Sequence, residues 1–182
     1  MKALREFKPC AGPRSWGAAM AGERFPGRKP DPRRPTEETA ARGNPQLVRD
    51  AYRLRFDGDR ADETARSITG FLELLAPDVK FLTANGIWPS CQGRSGVADL
   101  LLEASRQWAE CSFAVEELRE LDQSRVFACG TVLARASGRT EIYEIPFVNL
   151  WTIEDGRAIR IDSFTDRQQA QAALDLNGAG AI

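Results

Sequence analysis

The stretch SFAVEELRELDQSRVFACGTVLARASGRTEIYEIPFVNLWTIEDGRAIRIDSF, residues 112 to 164, decides the fold. Its apolar side chains recur at every second position, the period of a pleated strand with one face buried, and not at the 3.6 of a helix. Turn signals at Asp122-Gln123-Ser124, Ser137-Gly138 and Asp155-Gly156 divide it into strands at about 112–121, 125–136, 140–153 and 157–165. Asp155-Gly156 is the clearest of these, because a two-residue hairpin turn needs residues that tolerate positive φ. The segment therefore reads as an antiparallel meander. In its last strand Ile159, Ile161 and Ser163 share the face expected to point inward, while Arg160 and Asp162 share the other. The same parity on the preceding strand groups Tyr143, Phe147, Asn149 and Trp151 inward. The outward face is read as carrying Val132, Ile142, Pro146, Val148 and Leu150, more apolar surface than a monomer leaves exposed, which implies a homodimer.

Upstream the period is helical. Asn44-Pro45 combines a capping side chain with a proline suited to a first helical turn, and Val48, Ala51, Tyr52 and Phe56 follow at helical spacing up to Asp57-Gly58. A second helix, capped by Asp62, carries Ala65, Ile68, Phe71, Leu72 and Leu75 and stops at Ala76-Pro77. A short strand follows with Val79, Phe81 and Thr83 on one face, then a loop containing Trp88. The third helix has the stripe Val97, Leu100, Leu101, Ala104 and Trp108. A fourth, short helix is expected after Asp166, whose side chain with Gln169 forms a capping box. Helices, one strand, a helix and a long meander make an α+β fold in which a curved antiparallel sheet wraps around three helices.

Composition narrows the chemistry. The 182 residues, 42% apolar, suffice for one domain and an appendage, and 25 basic residues against 26 acidic ones give no excess charge for nucleic acid or a membrane surface. There is no histidine, which removes the Ser-His-Asp triad, the Asp-His relay and histidine-bound metals. Cys10, Cys91, Cys111 and Cys129 stand singly, without metal or dithiol spacing, and read as reduced thiols of a cytoplasmic protein; no metal or cofactor is expected. Residues 1 to 44 are basic and proline-rich with almost no apolar period, and read as a disordered leader. That leader is either a tether or transit segment, a plain solvated tail, or an over-extended reading frame whose start is Met20. The domain is placed at 45 to 176, with a tail at 177 to 182.

The order of elements, with EIPFVNLW at 144 to 151, EDGRAI at 154 to 159 and FTD at 164 to 166, resembles the SnoaL-like group of the nuclear transport factor 2-like superfamily. The resemblance covers about residues 45 to 175. It implies a cone-shaped α+β fold with a deep apolar pocket, and dimerisation through the outer sheet face. Against the ketosteroid isomerases of that superfamily, Thr83 falls where those enzymes carry an Asp base. Asn149 falls where they carry a protonated Asp that donates to an oxyanion, and Tyr52 lies close to their helical tyrosine. The histidine of dehydratase-like members is missing here, and Ser163 takes one Asp position of the epoxide hydrolase-like members.

The resemblance therefore implies a small-molecule domain for an apolar, polycyclic or carbonyl compound, with isomerase- or cyclase-like chemistry carried by Asn149 and Tyr52 if it is an enzyme. Thr83, Phe81, Trp88, Tyr143, Phe147, Trp151 and Ser163 are the candidate ligand contacts. The alternative is a non-catalytic dimerisation or scaffold module whose cone is filled by Trp88, Trp108 and Trp151. For Asn149 two roles stand open, a hydrogen bond to a ligand or one to a neighbouring group of the protein.

Overall fold

The computed structural model describes residues 43–84, 88–164 and 166–178. The leader expected at 1 to 44 lies outside them apart from Gly43 and Asn44, and the tail expected at 177 to 182 lies outside them apart from Asn177 and Gly178, which end the last helix. In chain order the elements are α1 (Asn44–Ala51), β1 (Phe56–Asp57), α2 (Ala61–Glu73), β2 (Leu75–Thr83), β3 (Cys91–Gln92), α3 (Gly93–Gln107), β4 (Trp108–Glu120), β5 (Arg125–Ala136), β6 (Ile142–Glu154), β7 (Arg157–Phe164) and α4 (Arg167–Gly178). The seven strands form one sheet in the order β1-β4-β5-β6-β7-β2-β3. The meander β4 to β7 is antiparallel throughout. The sheet as a whole is mixed, because β2 lies parallel to β7, with Phe81 beside Ile161 and Thr83 beside Ser163.

Two local devices shape the sheet. Asp155 and Gly156 both take positive φ, 49° and 68°, so β6 and β7 join in the tight turn that dipeptide calls for. On β4 the register shifts between Val115 and Glu117, a bulge opposite Gly130. A Cβ at Gly130 would lie 2.1 Å from the Ala114 carbonyl oxygen, so only glycine lets the two backbones approach there. Such a bulge increases the bend of a strand pair and turns the meander into a half-barrel.

Helices α1 to α3 fill the concave side. Leu47, Val48, Ala51 and Tyr52 from α1 and its end pack with Val79, Val97, Val126, Phe147, Trp151 and Ile161 in the main core. Helix α4 covers the convex side instead, where Ala170 packs on Phe127, Cys129 and Val148. Asp166 caps it by accepting the Gln169 N–H at 2.8 Å, half of the capping box expected from the sequence.

Several sequence expectations are corrected. Helix α1 ends at Ala51 and does not continue to Phe56, because Phe56 and Asp57 pair with Cys111 and Glu110 of β4 and the Thr64 hydroxyl clasps the Asp57 backbone on both its N–H and its carbonyl. Gly43 is the cap of α1, while the Asn44 amide ties its start to the Gln123 carbonyl at 2.7 Å. Asp62 lies in the first turn of α2 and Arg60 is its cap. Pro77 does not stop α2, which ends at Glu73. It sits within β2 where the β2–β7 register is interrupted, a position that needs no N–H. Trp108 leaves the helical stripe and opens β4.

The convex face is also less apolar than expected. Val132 pairs with Ile145 on the inward parity, and Val148 and Leu150 are already buried within the chain. Ile142, at 62% exposure, with Leu133 and Tyr143, remains exposed at the β5–β6 end of the sheet.

Candidate functional site

The concave face holds a cavity of about 120 Å³. Its wall comes from every layer: Ala51, Tyr52, Leu54 and Phe56 from α1 and the segment after it, Phe71 from α2, Phe81 from β2, and Leu101 and Ala104 from α3. Trp88 from the loop before β3, Cys111 and Phe113 of β4, Val132 of β5, Ile145, Pro146, Phe147, Asn149 and Trp151 of β6, and Ile161 and Ser163 of β7 also line it. Among the described residues no Asp, Glu, Lys or Arg lines it.

Aromatic packing fixes the polar end. The Tyr52 ring stacks on Phe147 with centroids 5.0 Å apart and meets Trp151 edge-on at 5.7 Å, while Phe113 packs against both Tyr52 and Phe147. This holds the Tyr52 hydroxyl between two donors. The Asn149 amide donates to it at 2.9 Å and the Trp151 indole N–H at 3.0 Å. With the Asn149 amide so oriented, Tyr52 has no acceptor for its own proton among the described residues, and the Asn149 Oδ1 is buried without a hydrogen-bond partner. Burial drives the Tyr52 pKa well above its ordinary value against the lowering effect of both hydrogen bonds, so the phenol stays protonated. The Cys111 thiol is pushed up to about 12 by desolvation and is no nucleophile. Cys129, on the convex side, is raised chiefly by burial and accepts a hydrogen bond from Arg167. Among the described residues no three His, Cys, Asp or Glu side chains gather to hold a metal.

Seven of the nine sequence-derived site residues line this cavity: Tyr52, Phe81, Trp88, Phe147, Asn149, Trp151 and Ser163. Thr83 does not. Its hydroxyl donates to the Trp88 carbonyl and its N–H to the Ser90 hydroxyl at 3.0 Å, so it pins the loop that carries Trp88. Tyr143 also lies outside; the residue is 39% exposed and its ring meets Trp108 edge-on. Of the two roles open for Asn149, the internal one is seen: its amide donates to Tyr52 at the wall of the cavity. Trp108 does not fill the cone, and Trp88 and Trp151 leave a cavity between them. Sequence reasoning missed Phe113, Val132, Ile145 and Cys111 on the wall. Alternation along β4 and β5 marks all but one of them, and the bulge before Glu117 hides that signal on β4.

No helix is long and apolar enough to cross a membrane among the described residues. No curated protein matches the chain. Among solved structures, an NTF2-like protein of unknown function from Burkholderia pseudomallei is similar at 25% identity, with 69% of this chain and 92% of that one covered and a TM-score of 0.53. TerC, co-crystallised with polyporic acid, shares 23% identity over 70% of this chain and 94% of its own, with a TM-score of 0.53. A putative polyketide cyclase from Pseudomonas putida shares 19% identity over 70% and 95%, with a TM-score of 0.51. At these identities the last two likenesses concern the fold. The SnoaL-like domain family matches residues 48–161, most of the folded part, and places these strands and helices in one known lineage. The chain belongs to the SnoaL-like family of the NTF2-like α+β fold.

Proposed function

We propose that this SnoaL-like domain binds a small neutral carbonyl compound in the concave cavity, with the Tyr52 hydroxyl and the Asn149 amide at its oxygen. The observation that carries this reading is the Tyr52 hydroxyl itself. It receives N–H donors from Asn149 and Trp151 and, with the amide so oriented, has no acceptor for its own proton among the described residues, in a cavity that no charged side chain among them lines. A hydroxyl that already accepts two hydrogen bonds is polarised toward donating a third, and that bond is strongest where water is excluded. The cavity wall offers a carbonyl oxygen an electrophile but offers the adjacent carbon no base, since no carboxylate or histidine lines it. Binding is therefore the function, and turnover is confined to substrates that bring their own base or use water.

Cyclohexanone is a suitable probe. Asn149→Leu should weaken its binding by roughly ten- to a hundredfold, the worth of about 1–3 kcal/mol for a desolvated hydrogen bond. Melting temperature measured on the same variant separates binding from folding. A destabilised variant whose folded fraction binds the probe normally would sink the assignment.

A homodimer is a second reading, favoured by the exposed Leu133, Ile142 and Tyr143 at one end of the sheet. Sedimentation at tens of micromolar tests it, by rough estimate from ordinary homodimer strengths, and a clean monomer counts against it.

A further inference from the structure

We propose that the cavity selects a carbonyl compound with a single six-membered ring and no charge, and rejects fused-ring and anionic compounds of the same chemistry. This rests on the reading above and names the substrate class of that site. Size is the first argument. An apolar cavity of about 150 Å³ holds one benzene molecule, and the cavity here is about 120 Å³. A single ring is therefore the most the cavity takes, and two fused rings exceed it.

The wall is the second argument, because it resists expansion. Tyr52, Phe113, Phe147 and Trp151 brace one another through stacked and edge-on contacts at 5.0 to 5.8 Å, so displacing one ring disturbs the packing of the others. Trp151 is 2% exposed and Tyr52 8%, which leaves them little room to swing outward. Charge is the third. With no cationic side chain among the described residues of the wall, a carboxylate entering it would lose its hydration without gaining a counter-charge. The polar atoms also gather at one place, around Tyr52 and Asn149, with Ser163 directly across from Asn149 in the β6–β7 register. A ligand with one oxygen at one end matches that distribution.

Four probes of graded size and charge test the proposal by ligand-observed NMR titration of the full chain at neutral pH. They are cyclohexanone, 2-decalone with two fused rings, cyclohexanecarboxylate and methylcyclohexane. The expected order has cyclohexanone binding at least about tenfold tighter than 2-decalone and tighter still than the carboxylate, with methylcyclohexane intermediate because it fills the cavity but accepts no hydrogen bond. The variant Leu101→Ala, which removes a wall side chain of α3, should recover 2-decalone binding relative to cyclohexanone. Equal or tighter binding of 2-decalone or of the carboxylate to the unmodified protein overturns the proposal while leaving the carbonyl reading intact. Methylcyclohexane binding as tightly as cyclohexanone overturns the carbonyl reading instead, and no binding by any of the four overturns both.

Discussion

The two faces of β6 carry alternate residues of one strand and obey different chemistry. Toward the concave side, Phe147, Asn149 and Trp151 face a cavity without a charge, and the polar atoms there are held by aromatic rings. Toward the convex side, Val148 lies under α4, and that helix is fastened by Arg167, which pairs with Glu117 at 2.7 Å and donates to the Cys129 sulfur. Glu117 and Arg167 are both solvent-accessible. The contrast teaches where a polar contact has consequence. The Tyr52–Asn149–Trp151 cluster is buried or half-buried, whereas the Arg167 pair works in screened solvent and contributes little.

The sharpest way to break the comparison is to remove the bend that creates a concave side. Gly130→Ala should cost about 3 kcal/mol or more, since the added methyl meets the Ala114 carbonyl oxygen at 2.1 Å and both strands must shift. A melting temperature within two degrees of the parent, roughly the effect of less than 1 kcal/mol in a domain of this size, would show that the bulge does not depend on glycine.

Next in size, Tyr52→Phe should cost about 2 kcal/mol, because it leaves the Asn149 and Trp151 donors buried and unpaired. Tyr143→Phe on the exposed end of the same sheet should change nothing measurable. Equal effects from the two tyrosines would erase the distinction between the faces.

The concave side also gives stability an alkaline limit. In the fold Cys111 keeps its proton up to about 12, while the unfolded thiol ionises near 9. Above pH 9 the unfolded chain therefore binds fewer protons than the native one and stability falls, by at most about 1.4 kcal/mol per pH unit from this group, with Tyr52 adding to the fall above pH 10. Denaturant titrations between pH 8 and 10 should show a shallower decline in Cys111→Ala than in the parent, and parallel declines would remove Cys111 from the account. Smallest of all is Arg167→Ala on the convex side, which should move the melting temperature barely and not at all in high salt. A large drop would mean that α4 depends on its ion pair and not on Ala170.

Period and turn chemistry made the meander legible, because β4 to β7 pair with their neighbours in sequence and Asp155-Gly156 announces its own turn. The order of helices and the parity of Phe147, Asn149 and Trp151 were legible for the same reason. What escaped depends on long-range pairing. Phe56-Asp57 is a strand only because β4 lies beside it, Pro77 is tolerated in β2 only because the ladder is interrupted there, and Val132 faces inward only once the β5–β6 register is known. The hydrogen bonds to Tyr52 were out of reach for another reason, since they join residues 97 and 99 positions apart.

The central claim is that the Tyr52 proton is kept for a ligand oxygen, and a crystal structure of the protein with cyclohexanone bound tests it most directly. The account places the ring in the concave cavity with its oxygen within hydrogen-bonding distance of the Tyr52 hydroxyl, beside Asn149. A ring bound with its oxygen turned toward Phe71 and Leu101, or bound only on the convex face, would contradict it.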